Sequence, residues 1–210
     1  MSKRKIKTGF YLELIRTVFQ AVDDQGRLRN RIMVFTSATP GEGVSYVVNL
    51  LAGELAAQTQ NRVLRVEATA LQELVLISPN QILRHCEETE IENLLTLSMA
   101  KSPSNLAAVG RSGKASDWES APDYRAECLK ALRWNFDYVL IDCPSMSVSS
   151  DATTLARLAD GVCLVVKADQ TRRGQIQRSQ QLITDAGGNF LGFILNQRRY
   201  PVPNWLYRRL

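Results

Sequence analysis

One stretch, residues 31–51, constrains what this chain can fold into more than any other. It is predicted to form a buried strand (Ile32 to Phe35), a glycine-containing loop (Thr36 to Gly43) and an apolar helix that begins at Val44. Glycines let backbone N–H groups converge in such a loop, and the helix that follows points the positive end of its dipole at the same place. The order strand, loop, helix therefore predicts a loop that binds phosphate groups.

The loop departs from the full phosphate-binding motif G-x-x-x-x-G-K-[ST] at two positions. Gly43 and Ser45 occupy motif positions, but Ala38 replaces the first glycine and Val44 replaces the lysine that would touch the β- and γ-phosphates. The loop is therefore predicted to keep the shape of a nucleotide site without its main charge. The residues predicted to contact a nucleotide here are Pro40, Gly41, Glu42, Gly43, Val44, Ser45 and Tyr46.

The composition is that of an ordinary globular chain. With 210 residues and 45% hydrophobic residues, one α/β domain is expected to bury a core without metals or disulfides. Four cysteines without C-x-x-C spacing and a single histidine argue against a zinc site or a disulfide framework. No apolar run reaches the roughly 18 residues that span a bilayer, and no export signal is recognised, so a reducing cytoplasm is expected.

The net charge of +5 is concentrated at the two ends of the chain. Residues 1–10 contain four basic side chains, residues 198–210 contain four more, and neither segment contains an acidic one. Basic ends suit an anionic membrane face, nucleic acid or an acidic partner, or else are simply solvated. The expected division is a basic segment and helix (1–30), a nucleotide-binding-type domain (31–197) and a basic aromatic tail (198–210).

Apolar strands alternate with helices along the rest of the chain, which indicates a mostly parallel sheet with helices on both faces. Further strands are predicted at Arg62–Glu67, Leu94–Met99, Phe136–Asp142, Gly161–Lys167 and Phe190–Asn196. Helices are predicted at 8–22, Val44–Gln58, Asp123–Trp134 and Asp151–Leu158, with one more capped by Thr171 and closed by Gly187 and Gly188.

Ligands of such sheets lie beyond the carboxyl ends of the strands, where Gly43, Glu67 and Asp142 are expected to meet. Asp142 and Ser45 are the predicted Mg²⁺ ligands, and Asp142 and Glu67 would be the catalytic carboxylates of an active enzyme. Glu67 is otherwise a solvated strand end, the interpretation that we favour. Asn196 stands where related folds place an asparagine that contacts adenine, although asparagine is also common in turns.

Several segments together resemble the MinD/ParA-type P-loop proteins, and most closely the bacterial tyrosine kinases of capsule and exopolysaccharide production. They are Thr36-Ser-Ala-Thr-Pro-Gly-Glu-Gly, Val63-Leu-Arg-Val-Glu, Phe136-Asp-Tyr-Val-Leu-Ile-Asp-Cys-Pro and Leu158-Ala-Asp-Gly-Val-Cys-Leu-Val-Val-Lys. The resemblance covers roughly residues 10–196 and implies a three-layer P-loop NTPase fold that binds ATP or ADP with Mg²⁺. It also implies a homo-oligomer, a membrane-embedded polysaccharide chain-length regulator or export protein as partner, and a position in the cytoplasm or at the inner membrane face.

Departures from that family indicate a degenerate enzyme. Val44 replaces the loop lysine, Thr39 stands where MinD-type proteins place their signature lysine, and the family's D-x-D strand end is here Glu67-Ala-Thr69. The C-terminal tyrosine cluster is reduced to Tyr200 and Tyr207. The resemblance therefore implies a regulatory or scaffolding subunit, which we expect to bind nucleotide weakly.

Two alternatives remain open from the sequence. The first is an active ATP-dependent tyrosine kinase or ATPase of the same system, in which Arg172 or a neighbouring molecule supplies the missing charge. The second is a ParA-like protein that binds nucleic acid through its basic ends. The sequence disfavours the second, because its positive charge lies on the termini and not on the predicted domain.

Overall fold

The computed structural model describes residues 15, 19, 31–59, 61–74, 86–89, 94–97 and 122–197. These residues form seven strands: β1 (Ile32–Ser37), β2 (Val63–Glu67), β3 (Glu87–Glu88), β4 (Leu94–Leu97), β5 (Tyr138–Asp142), β6 (Gly161–Lys167) and β7 (Phe190–Asn196). Five helices accompany them: α1 (Val44–Thr59), α2 (Ala68–Leu74), α3 (Pro122–Asn135), α4 (Asp151–Ala156) and α5 (Arg173–Asp185).

The strands form one sheet in the order β3-β4-β2-β5-β1-β6-β7. All neighbours are parallel except β3, which pairs antiparallel with β4. The six predicted strands are therefore present, and β3 is an addition that the sequence analysis did not predict. Because the strands are parallel, their carboxyl ends, and the loops that follow them, lie along one edge of the sheet.

Helices cover both faces of this sheet, as predicted, and each face has its own core. Met33 and Phe35 of β1 pack on the side of α1, whereas Ile32 and Val34 pack on the opposite side, with α3 and α4. This alternation follows from the two-residue period of a strand. The α1 side also includes Ile15 and Phe19, both of which are fully buried.

Ile15 and Phe19 belong to the apolar stripe predicted for a helix at 8–22. The ring of Phe19 meets the ring of Tyr138 edge-on, with the centroids 5.8 Å apart. The hydroxyl of Tyr138 donates to the backbone carbonyl of Phe19 at 3.2 Å. The other residues of that predicted helix, and the tail that contains Tyr200 and Tyr207, lie outside the described residues.

The start of α5 differs from the prediction. Its N-cap residue is Arg172, whose backbone is extended and whose N–H donates to the side chain of Gln175 at 3.2 Å. Thr171 was predicted to be the cap, but its hydroxyl instead donates to the carboxylate of Glu42. Helix α4 is also shorter than predicted, because it ends at Ala156 and not at Leu158.

Among the helices of the described segments, none has the length and apolar composition needed to cross a membrane.

Candidate functional site

The loop between β1 and α1 turns sharply at two glycines with positive φ, Gly41 (82°) and Gly43 (86°). A side chain at Gly43 would also collide with its surroundings, because a Cβ atom there would lie 2.3 Å from Nδ2 of Asn196. Nothing lies within 4 Å of the corresponding point at Gly41. Gly43 is thus required both by the backbone conformation and by the close approach of β7.

A carboxylate inside the loop holds it in this shape. Glu42 is 2% exposed, and its carboxylate accepts hydrogen bonds from the N–H groups of Ala38 (3.0 Å) and Thr39 (3.4 Å). It also accepts one from the hydroxyl of Thr39 at 3.1 Å and one from the hydroxyl of Thr171. The side chain of Glu42, predicted to contact nucleotide, therefore has protein partners that join the loop to the segment before α5.

Asn196 joins the loop to the end of β7. Its Nδ2 atom donates to the backbone carbonyl of Glu42 at 2.9 Å, and its Oδ1 atom accepts from the N–H of Gln197 at 2.8 Å. The asparagine is thus part of the support of the loop. The predicted contact of Asn196 with adenine stays a prediction.

The loop forms one wall of a cavity of about 460 Å³ at the carboxyl edge of the sheet. The structure brings eight of the predicted residues into its lining: Pro40, Gly41, Glu42, Gly43, Val44, Ser45, Glu67 and Asp142. The segment Cys143 to Ser145 and the side chains of Thr69 and Val148 complete much of the remaining lining. Tyr46, which is 51% exposed, and Asn196 are not among the lining residues.

Val44 and Ser45 differ in what they present to this cavity. Val44 is 9% exposed and packs with the apolar residues of the α1 side, so it brings no charge to the loop. Ser45 is exposed and lies in the first turn of α1. The N–H groups of such a first turn have no partner within the helix, which leaves them available to an anion.

Two carboxylates meet at the opposite wall. Glu67 and Asp142 end neighbouring strands and are register partners in the sheet. Asp142 is 7% exposed, and this burial raises the pKa of its carboxyl group, while the neighbouring Ser45 and the charge of Arg65 act in the opposite direction. The charge of this pair requires a counter-ion, which here is part of the chain.

That counter-ion is Arg65 of β2, which the sequence analysis did not single out. One of its terminal nitrogens, Nη2, lies 3.5 Å from a carboxylate oxygen of Glu67 and 3.5 Å from one of Asp142. The only signal in the sequence was a charged residue inside an apolar strand, two positions before Glu67. The predicted source of compensating charge, Arg172, is exposed at the start of α5.

A divalent metal has few available ligands at this wall. In the described part of the chain, no group of three or more His, Cys, Asp or Glu side chains is placed to hold a metal ion. Mg²⁺ prefers oxygen ligands, and the carboxylate of Asp142 already faces a guanidinium group. Ser45 and Asp142 as Mg²⁺ ligands therefore remain a prediction, and the donor set as it stands does not suit the ion.

No family model matches the chain. Among curated proteins it is similar to the tyrosine-protein kinase CpsD of Streptococcus agalactiae, with 28% identity over 207 residues that cover 91% of this chain and 83% of that protein. It is also similar to the putative tyrosine-protein kinase CapB of Staphylococcus aureus, with 24% identity over 152 residues, 72% of this chain and 62% of the other.

Solved structures give the same fold. The kinase domain of the Escherichia coli tyrosine kinase ETK superposes with a TM-score of 0.62 at 22% identity, over 83% of this chain and 71% of that one. The Pyrococcus furiosus cell division ATPase MinD gives 0.55 at 21% identity, over 79% and 71%. Cobyrinic acid a,c-diamide synthase of Mycobacterium smegmatis, with an ATP analogue and magnesium bound, gives 0.57 at 19% identity, over 79% and 72%. In sequence, the chain is thus similar to bacterial tyrosine-protein kinases, and its fold is that of the kinase domain of ETK and of the ATPase MinD.

Proposed function

We propose that this chain is a catalytically degenerate, tyrosine-kinase-like protein that regulates or scaffolds the synthesis and export of capsule or exopolysaccharide. The observation that supports this most is Val44, an apolar and nearly buried side chain at the motif position of the lysine. Phosphoryl transfer depends on positioning and on stabilisation of charge, so one missing cationic donor is expected to slow it by about 10²–10³. Thr69, in place of the second strand-end carboxylate, adds to that loss.

Nucleotide binding is proposed to survive in weakened form. The loop has two glycines with positive φ, Gly41 and Gly43, and leads into the first turn of α1, features that suit a phosphate group. Pro40 to Tyr46 are the proposed contacts of ATP or ADP, with Asn196 nearby. Without the lysine, the binding energy comes from the backbone N–H groups and the helix dipole alone.

Equilibrium binding of ATP and ADP to the wild type and to Val44→Lys, together with ATP turnover, tests this proposal. The lysine variant is expected to bind both nucleotides at least tenfold more tightly than the wild type. Asn49→Lys is the matched control, because it adds the same charge to an exposed position of α1 outside the loop. Rapid magnesium-dependent ATP turnover by the wild-type chain would overturn the proposal.

A second candidate is an active kinase or ATPase. It is favoured by the position of Ser45 and Asp142, two expected magnesium ligands, in the lining of the same cavity. This candidate predicts phosphotyrosine at Tyr200 or Tyr207 after incubation with ATP, detected by mass spectrometry and absent from the double phenylalanine variant. Unmodified tyrosines after prolonged incubation would exclude the kinase form.

The proposed partner is a membrane-embedded polysaccharide chain-length regulator or export protein, at the cytoplasmic face of the membrane. The support is the resemblance to the kinases and the basic charge of the two ends. A homo-oligomer is proposed on the same ground, and light scattering coupled to size exclusion tests it. Nucleic acid is not proposed as a partner.

A further inference from the structure

A largely buried cation lies beside the two carboxylates of the cavity wall, and it comes from the sheet and not from the loop. Arg65 lies in the middle of β2, and its side chain is 16% exposed. Because side chains alternate along a strand, Arg65 lies on the same face as Val63 and Glu67, the face that α1 covers. An arginine at that position is held where the two strand-end carboxylates meet.

Its contacts match those expected of a counter-ion. Nη2 of Arg65 lies 3.5 Å from both Glu67 and Asp142, which are register partners on adjacent strands. The Nε–H of the same guanidinium is buried and has no hydrogen-bond acceptor among the described residues. Two like charges side by side destabilise each other, and one cation between them removes that cost.

We infer that Arg65 takes the place of a divalent metal in this site, so that the carboxylate pair is neutralised by the chain itself. A metal bound by Asp142 would lie close to the guanidinium group, and the two cations would repel each other. The inference deepens the proposed function and rests on it. It is incompatible with the prediction that Ser45 and Asp142 bind Mg²⁺. That prediction expects a metal site at Asp142 in the wild-type chain, whereas this inference expects none.

This inference gives the site a defined ligand preference. The loop and the first turn of α1 offer N–H donors to a phosphate group, and Arg65 balances the carboxylates without an added ion. The affinity for a phosphate ligand is then expected to be the same with and without a bound metal ion. In enzymes that transfer phosphoryl groups, by contrast, the metal bridges the protein and the phosphates.

Binding of Mn²⁺ alone to the full chain, followed by the electron paramagnetic resonance signal of the free ion, tests the inference directly. The wild type is expected to bind no Mn²⁺ at concentrations up to the order of 1 mM, the range of weak metal sites. Arg65→Met is expected to gain one Mn²⁺ site with a dissociation constant at least tenfold below that limit. The double variant Arg65→Met/Asp142→Asn is expected to lose this site. Arg133→Met is the matched control, since it removes another ion-paired arginine, whose partner Asp160 is 2.7 Å away and also accepts from the N–H groups of Arg31 and Ile32.

Two results would overturn the inference. One is a Mn²⁺ site in the wild type that Asp142→Asn abolishes, and the other is a folded Arg65→Met variant that binds no more Mn²⁺ than the wild type. If Arg65→Met does not fold, ADP binding to the wild type in Mg²⁺ and in EDTA decides: affinities within twofold support the inference, and a tenfold gain with Mg²⁺ overturns it. Rapid ATP turnover would overturn the proposed function, whereas Mn²⁺ bound to a wild type without turnover would overturn this inference alone.

Discussion

The two glycines of the loop have nearly the same φ but different surroundings, which separates two effects of adding a methyl group. Gly41→Ala is expected to cost about 1–2 kcal/mol of unfolding free energy, the strain of a left-handed conformation. Gly43→Ala is expected to cost at least about 1 kcal/mol more, because its Cβ would lie 2.3 Å from Nδ2 of Asn196. Urea unfolding of both variants measures the difference.

Asn196→Ala provides the control for the collision at Gly43. If the amide is what the methyl group meets, the loss in the double variant Gly43→Ala/Asn196→Ala is smaller than the sum of the single losses. Equal losses at Gly41 and Gly43, or strictly additive losses in the double variant, would contradict this account. The cycle therefore tests whether β7 sets the shape of the loop.

Thr171 is predicted to stabilise the loop through Glu42 and not as a helix cap. Thr171→Val removes a hydroxyl that donates to a 2% exposed carboxylate, so a loss of about 1–3 kcal/mol is expected on urea unfolding. Thr171→Ser keeps the hydroxyl and is expected to keep most of the stability. A valine variant as stable as the wild type would contradict this role of the hydroxyl.

At the scale of the elements, β7 is the edge strand where buried and exposed side chains can be compared directly. Ile194 is 2% exposed and packs on the α1 side, whereas its neighbour Leu195 is 51% exposed. Ile194→Ala is expected to cost about 2–5 kcal/mol, because it leaves a cavity in the core. Leu195→Ala is expected to cost less than about 1 kcal/mol, because little area is buried there. Similar losses for both, measured by urea unfolding, would mean that the outer face of β7 is covered in solution.

The six parallel strands could be predicted because each contains apolar residues in a short run that turn or loop residues interrupt. Strand β5 is a clear case, since five buried residues end at Asp142 and a proline follows two positions later. Strand β3 could not be predicted, because two residues have no periodicity and their pairing with β4 is a tertiary contact. The prediction of Thr171 as the cap of α5 was wrong for a similar reason, because its hydroxyl has a partner 129 positions away in sequence.

The candidate site was predictable where the backbone defines it and not where side chains meet across strands. Gly43 and Asp142 follow from the order of strand, loop and helix, and the cavity includes both. Arg65 was missed because its partner Asp142 is 77 positions away, and only the pairing of β2 with β5 brings them together. Local sequence patterns contain no information on such a contact.

At the scale of the whole molecule, the two cores share a single sheet and should therefore unfold together. The residues of β1 alternate between the two sides, so disruption of the sheet opens both cores at once. Three buried cysteines sample both sides: Cys128 and Cys143 lie on the side of α3 and α4, and Cys163 lies on the side of α1. These thiols are natural probes of cooperativity.

Labelling of these three thiols is predicted to require unfolding of the whole domain. Burial raises the pKa of Cys128 and of Cys163 to about 12 and raises that of Cys143 well above its usual value, with the charges of Asp151 and Asp142 adding to the effect at Cys143. At pH 8, a thiol with a pKa near 12 is ionised in only about one molecule in 10⁴, even where the reagent reaches it. Cys86 is half-buried with a pKa of about 11, so it is expected to react first.

Mass spectrometry of peptides labelled at increasing urea concentrations measures the protection of each thiol. A single cooperative unit gives one midpoint for Cys128, Cys143 and Cys163, and that midpoint coincides with the loss of helical circular dichroism. A lower midpoint for Cys163 would instead mean that the α1 side opens first, together with the loop at the start of α1. In that case the candidate site would belong to a less stable part of the fold, and a ligand of the loop would raise the midpoint of Cys163 more than that of Cys128.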